Sequence, residues 1–228
     1  MKTIGLIGGM SWESTLTYYQ VINEEIKTTL KGLHSAKIVL YSVDFAEIET
    51  CQAQGDWEKS AQILLQAAQS LEKAGADFLV ICTNTMHKVI PMMENHLQIP
   101  IVHIADATAD ALLSEGIRKV ALLGTKYTMT QDFYKNKLMD KGIEVLIPGA
   151  EEVEEVNRII YEELCLGEVK DSSRGFYQKV IKGLKKEGAQ GVILGCTEIG
   201  LLIQQKDSVL PVFDTAQIHA LTAAHISL

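Results

Sequence analysis

The 228-residue sequence predicts a parallel α/β fold, and three observations carry that expectation. Short apolar runs alternate with helix-patterned segments along the chain, the runs are unbroken rather than alternating in polarity, and the second half repeats the plan of the first. A strand covered on both faces has no solvent side, so it reads as a continuous apolar run, as parallel strands between helical layers do. Strands that alternate with helices are joined by crossovers, which makes each sheet parallel.

The first strand is expected at "TIGLIG" (3–8), which leads through Gly-Gly into a helix at 13–30. "AKIVLYSV" (36–43) follows, then a helix at 57–74, where "EKSAQILLQAAQSLEKAGAD" carries an apolar helical stripe and closes on a turn glycine. "DFLVIC" (77–82) precedes a helical pattern at 84–95, and "IPIVHI" (99–104) precedes one at 105–115. The second half runs "KVALLG" (119–124), a helix at 130–141, "IEVLIP" (143–148), and helices at 151–165 and 173–187. It closes with "GVILGC" (191–196), "VLPVFD" (209–214) and a helix at 215–226.

The halves resemble each other. "IGLIGGMSWESTLTYY" (4–19) and "VALLGTKYTMTQDFY" (120–134) are each a strand, a glycine turn, hydroxyl residues and a tyrosine-bearing helix. Gly8 and Thr83 are 75 positions apart, Gly124 and Cys196 72. We read this as an internal duplication with two pseudo-symmetric lobes, each a parallel sheet flanked by helices. The N-terminal lobe is expected to hold 1–98 and 209–228, and the C-terminal lobe 99–208.

Bulk properties narrow the function. A net charge of −8 argues against nucleic-acid binding, which needs a basic stripe to displace counterions. The apolar run near the N-terminus is shorter than the roughly 7–15 residues of a signal-peptide core. No stretch approaches the ~18 apolar residues of a spanning helix. A cytoplasmic protein without a membrane partner is therefore expected. Cysteines 51, 82, 165 and 196 form no CxxC pair, so no disulfide framework or zinc knuckle is suggested. Histidines 34, 87, 96, 103, 219 and 225 form no metal-ligand pattern, and neither GxGxxG nor GxxxxGK[ST] is present. We expect no metal and no cofactor. His87 is expected to orient its loop.

In open α/β sheets ligands collect at the carboxyl ends of strands. Four loops there combine small residues with hydroxyls or amides: "GGMSWEST" (8–15), "CTNTMH" (82–87), "GTKYTMT" (124–130) and "GCTEIG" (195–200). Each precedes a helix start, whose free N–H groups favour an anion, although Ser, Thr and Asn are also ordinary helix caps. Cys196, entering a helix, is the sharpest nucleophile or base, because a helix N-terminus lowers a thiol's pKa. Cys51 and Cys165 are read as bystanders.

"IGLIGGMSWEST", "TNTMH", "ALLGTKYTM" and "GCTEIGLL", together with the ending "LPVFDTAQIHA", resemble the pyridoxal-phosphate-independent aspartate/glutamate racemase family over essentially the whole chain. The resemblance implies two α/β lobes with a cleft site, a homodimer, and an acid and a base on opposite faces of the Cα of a small acidic amino acid. Members usually read Cys-Asn-Thr at the first motif; this chain reads Thr83-Asn84-Thr85, with Cys82 one place early. Anchored on Asn84-Thr85, the resemblance puts Thr83 at the family's cysteine position; neighbours in a strand point to opposite faces, so Cys82 turns into the packing. The catalytic pair is then Thr83 and Cys196, a lopsided one. Two alternatives stay open: Cys82 reaches the cleft through a bulge, or the chain has left racemisation for another chemistry.

Asn84, Thr85, Thr125 and Thr197 are expected to grip the substrate's α-carboxylate, with Met10 and Gln52 also binding. Lys170 and Arg174 are the candidates for the distal carboxylate, with solvated surface charge the alternative reading. Glu198 either orients a neighbour or caps its helix. The expected function is cofactor-independent racemisation of aspartate and/or glutamate. A related isomerase or decarboxylase of small dicarboxylates, or a small-anion binding protein, is the runner-up.

Overall fold

A computed structural model describes residues 1–228. Eight strands and eleven α-helices follow one another as β1 (Ile4–Gly8), α1 (Trp12–Leu30), β2 (Ile38–Ser42), α2 (Phe45–Gln54), α3 (Trp57–Lys73), β3 (Phe78–Ile81), α4 (Ile90–Met93), β4 (Ile101–Val102) and α5 (Ile104–Ser114). Then come β5 (Lys119–Gly124), α6 (Lys126–Thr130), α7 (Asp132–Asp140), β6 (Glu144–Leu146), α8 (Ala150–Glu162), α9 (Asp171–Lys186), β7 (Gly191–Gly195), α10 (Ile199–Leu202), β8 (Val212–Asp214) and α11 (Thr215–Ser227). No helix is long and apolar enough to cross a membrane.

The strands make two parallel sheets, ordered β2-β1-β3-β4 and β6-β5-β7-β8. The second order is the first with four added to each number, so the repeat in the sequence is a repeat of topology. Two compact units hold one sheet each: Met1–Ile104 with Ala216–Leu228, and Ala105–Thr215. β4 pairs with β3, and β8 with β7. The divisions expected at 98/99 and 208/209 would have exchanged those two strands between lobes. Their ladder hydrogen bonds keep each with the sheet that precedes it, and the helices that follow, α5 and α11, change unit instead.

Burial on both faces of the first sheet explains its unbroken apolar strands. Ile4, Leu6, Phe78 and Val80 pack with Tyr18, Ile22 and Ile26 of α1 and with the alanines 216, 220, 223 and 224 of α11. Ile7, Leu79 and Ile81 pack on the other side, with Ala61, Leu64, Ala67, Ala68 and Leu71 of α3. The alternation of β3 therefore assigns even-numbered residues to one layer and odd-numbered ones to the other.

Local chemistry sets the helix ends. Asp56 caps α3 by accepting from the Lys59 amide, and Gly75 after it takes φ +90°, a conformation glycine adopts without penalty. The structure also holds a helix not expected from the sequence, α2. Its start is marked by Asp44, which accepts from the Ala46 amide, and its end by Gly55 in the left-handed conformation. The helix expected at 84–95 is instead a 3-10 turn at 85–89, then α4, then another 3-10 turn. Pro91, in the first turn of α4, lacks the N–H that a continuous helix from 84 would use. The helix expected at 130–141 is preceded by α6, and Gln131 between α6 and α7 is extended, at ψ 157°.

Gly124 and Gly195 are register partners at the ends of β5 and β7. A Cβ on Gly195 would lie 3.0 Å from the Leu123 carbonyl oxygen, and one on Gly124 2.9 Å from that of Gly195. Backbone this close cannot yield cheaply, so Gly195→Ala should cost about 1–3 kcal/mol. Gly183→Ala, in α9 with open space around the new methyl, should stabilise by roughly 0.5–1 kcal/mol. Urea unfolding of the two variants checks the opposite signs.

Candidate active site

Two loop clusters stand at the carboxyl ends of the central strands, one in each unit. In the first unit β1 and β3 are neighbours, so the loop from Gly8 to Ser11 and the loop from Cys82 to Thr85 leave the sheet side by side. Thr15 of α1 accepts from the Gly9 amide at 2.8 Å, and Ser14 donates to the Cys82 carbonyl at 3.0 Å. The hydroxyls at the start of α1 thus tie both loops to one helix.

Cys82 continues the even-numbered side of β3. It is fully buried among Phe78, Val80, Tyr18 and the α11 alanines, and burial pushes its thiol well above the ordinary range. The side chain is part of the packing, as the parity argument expects. Thr83 is partly exposed, while Asn84 and Thr85 are buried.

Behind Thr83 lies a histidine network that the sequence does not announce. Nε2 of His87 receives the Ile104 amide at 3.1 Å, and an N–H can only donate, so that nitrogen is bare. The ring proton is therefore on Nδ1, which donates to the Thr83 carbonyl at 2.8 Å. His219 has the reverse tautomer: Nε2–H donates to the Val102 carbonyl at 2.8 Å, and Nδ1 accepts from the Tyr18 hydroxyl at 2.9 Å. The His87 ring centroid lies 4.7 Å from that of His103 and 5.6 Å from that of His219. His87 thus orients the Thr83 loop, and His219 holds the strand from which α5 departs.

Met10 and Gln52 reach the same unit. Both are buried, and Gln52 donates to the Met86 sulfur at 3.1 Å, while Met10 and Met86 share one apolar cluster. The helix that presents Gln52 is α2, so the missed element is the one that carries a site candidate.

In the second unit β5 and β7 are neighbours, and their loops carry Thr125 and Cys196–Glu198. Thr125 is buried, caps α6 by accepting from the Thr128 amide at 3.3 Å, and meets the Thr128 hydroxyl at 3.2 Å. Cys196 and Thr197 are partly exposed and Glu198 is buried. One oxygen of Glu198 accepts from the Cys196 thiol at 3.0 Å and from the Thr197 hydroxyl at 2.6 Å.

This corrects the expected electrostatics of Cys196. Its pKa is raised well above the ordinary thiol value, first by burial and then by the adjacent Glu198 carboxylate. The helix that was to lower it, α10, is only four residues long, too short for a substantial dipole, and a carboxylate stands in front of it.

The expected cations are engaged elsewhere. Lys170, half-exposed at the start of α9, pairs with Glu168 at 2.9 Å and Glu163 at 3.8 Å. Arg174 donates to the Leu202 carbonyl and lies 3.4 Å from Asp207, which fixes the end of α10. Arg174 therefore acts on the backbone downstream of Cys196.

Comparison with known proteins gives a consistent picture. The family model described as Asp/Glu/Hydantoin racemase matches residues 7–223. Among solved structures, a candidate Asp/Glu racemase from Yersinia pestis is 57% identical, covering 100% of this chain and 99% of its own, with a TM-score of 0.94. An aspartate racemase homologue from Pyrococcus horikoshii OT3 is 42% identical, with coverage of 100% and 99% and a TM-score of 0.87. The broad specificity amino-acid racemase RacX of Bacillus subtilis is 23% identical over 161 residues, 71% of this chain and 69% of RacX.

The histidines also set a pH dependence. Burial lowers the pKa of His219 from 6.5 to about 4, and burial with repulsion from His103 and His219 holds that of His87 well below its usual value. Between about 6.5 and 4 the unfolded chain binds protons that the native chain refuses, so stability is full above about pH 6.5 and falls as pH drops. His219 alone accounts for about 3 kcal/mol across that window. Urea midpoints from pH 7 to 4.5 should fall accordingly, and His219→Gln should flatten the slope. An unchanged slope in that variant would remove His219 from the account.

Proposed function

Since this chain belongs to the Asp/Glu/Hydantoin racemase family, a family of isomerases, we propose that it interconverts the enantiomers of aspartate and/or glutamate without a cofactor. Thr83 and Cys196 serve the opposite faces of the substrate's Cα. Cys196 is the competent base and Thr83 donates or relays the proton on the other side. The observation that supports this reading most directly is the hydrogen-bonded thiol of Cys196 at the end of β7, partly open to solvent and engaged by a proton acceptor.

Inverting a carbon without a cofactor requires an acid, a base, and donors for the charge that develops on the α-carboxylate as it becomes enediolate-like. Asn84, Thr85, Thr125 and Thr197 supply those donors in this reading, Thr197 through its backbone N–H because its one hydroxyl proton goes to Glu198, with Met10 and Gln52 against the substrate. Lys170 meets the distal carboxylate on giving up Glu168. The His87 bond to the Thr83 carbonyl holds the weaker partner in place. A homodimer, which rests on family likeness, and a cytoplasmic location belong to the same proposal.

A Thr/Cys pair cannot shift the equilibrium between enantiomers, but it makes the two directions unequal in their chemical steps. Wash-in of deuterium at Cα of L- and D-aspartate and L- and D-glutamate is the test, and one enantiomer should exchange faster. Absence of exchange with all four would leave a binding protein. Cys196→Ala should abolish exchange, and Cys82→Ala should be nearly silent. Thr83→Cys should speed the slower direction. Severe loss in a well-folded Cys82→Ala would return the role to that thiol.

A further inference from the structure

Glu198 has a stronger position than a helix cap would need. It makes no side-chain cap bond to α10. Its carboxylate instead turns back to the strand end, where a single oxygen receives the Cys196 thiol and the Thr197 hydroxyl. It is about nine-tenths buried, at 9% exposure. An ionised carboxylate only accepts, so both protons come from its neighbours, and the thiol proton already points at the oxygen that could take it.

A neutral thiol does not remove a proton from carbon, so the proposed reaction needs a thiolate. With Glu198 ionised, that thiolate would set two negative charges about 3 Å apart, and like charges so close do not both ionise. An acidic substrate would add its own carboxylates to that field. Cys165, from the 3-10 turn at 164–166, and Tyr177 of α9 are the other titratable groups acting on this thiol, and neither brings positive charge. Transfer from Sγ to the Glu198 oxygen avoids the conflict. The S–H bond breaks, an O–H bond forms, and the pair carries one negative charge before and after.

We propose, resting on the racemase reading above, that Glu198 takes the Cys196 proton and that the two residues act as one base. Glu198 is a positioning residue that works through the thiol. The thiolate so formed removes the α-proton and becomes a thiol again, and Glu198 then releases its extra proton to water. The opposite face receives its proton from Thr83, which recovers one from water. Thr197, bonded to the same oxygen, keeps that oxygen aimed at the sulfur.

Glu198→Gln keeps the shape and an acceptor oxygen but cannot take a proton. It should lower α-deuterium exchange by ~100-fold or more. At the same time it should move the pH midpoint of Cys196 alkylation by iodoacetamide, followed on its own peptide by mass spectrometry, downward by about one unit or more. A thiol that becomes easier to ionise in an enzyme that becomes slower is the signature of a lost proton acceptor. Glu198→Asp, which keeps the carboxylate, should recover at least tenfold of the lost exchange and restore the alkylation midpoint toward that of the native protein. It provides the same comparison if the Gln variant does not fold.

Exchange within threefold of the native protein in Glu198→Gln would overturn the proposal. So would an alkylation midpoint that stays put or rises, because the thiol would then not feel the Glu198 carboxylate. If the native protein exchanges no α-proton of aspartate or glutamate, the racemase reading fails, and the alkylation midpoints still show whether the Glu198 carboxylate acts on the thiol.

Discussion

Coverage of both faces of each parallel sheet is the constraint on which the rest of this structure depends. A strand sandwiched between helical layers has no side left for chemistry, because each alternate side chain is committed to one apolar layer or the other. In the first unit the layers are α1 with α11 and α3 with its neighbours, and β3 distributes its residues between them in strict alternation. Polar groups can then project only where the strands stop. The loops after β1, β3, β5 and β7 are those places, and every site candidate except Gln52, Lys170 and Arg174 stands in one of them. The same alternation determines the fate of Cys82. It sends Cys82 into the core and leaves the strand end to the Thr83 hydroxyl, one residue on.

The two strand ends are electrostatically unlike, although their sheets have the same order. Around Thr83 the supporting groups are neutral: an amide, a second threonine, and His87, a ring that burial keeps uncharged. Around Cys196 the support is a carboxylate. Two sheets of the same strand order thus differ in the field that each supplies at its strand ends. Inference from one half to the other by symmetry alone would miss this.

Much of the architecture was legible in the sequence because it follows from local rules. All eight apolar runs are strands, and the repeat of "GLIGG" and "ALLGT" contexts marks a repeated topology. The parity of Cys82 and Thr83 could be read from the period of a strand. What was not legible depends on contacts distant in sequence. The unit division turns on which ladder β4 and β8 join, and their apolar runs look alike in that respect. The Tyr18–His219 bond joins residues 201 positions apart, so no local pattern announces it. The Glu198 carboxylate is visible in "CTEIG", yet a local pattern does not tell whether it caps α10 or, as here, turns back to Cys196 and Thr197. Asp44 and Gly55 were sufficient signals for α2, and that helix could have been found.

The crossing of α5 and α11 bears on how such a molecule is assembled. Because α11 supplies the alanine part of the layer over β1 and β3, that face of the first sheet is covered only by α1 until residues 216–228 have emerged. Synthesis from the N-terminus therefore cannot finish one half before starting the other. Residues 216–228 placed ahead of 1–215 would make each unit a continuous stretch of chain, and the Lys2 amide, 2.7 Å from the Ser227 carbonyl, shows that those two segments already lie side by side.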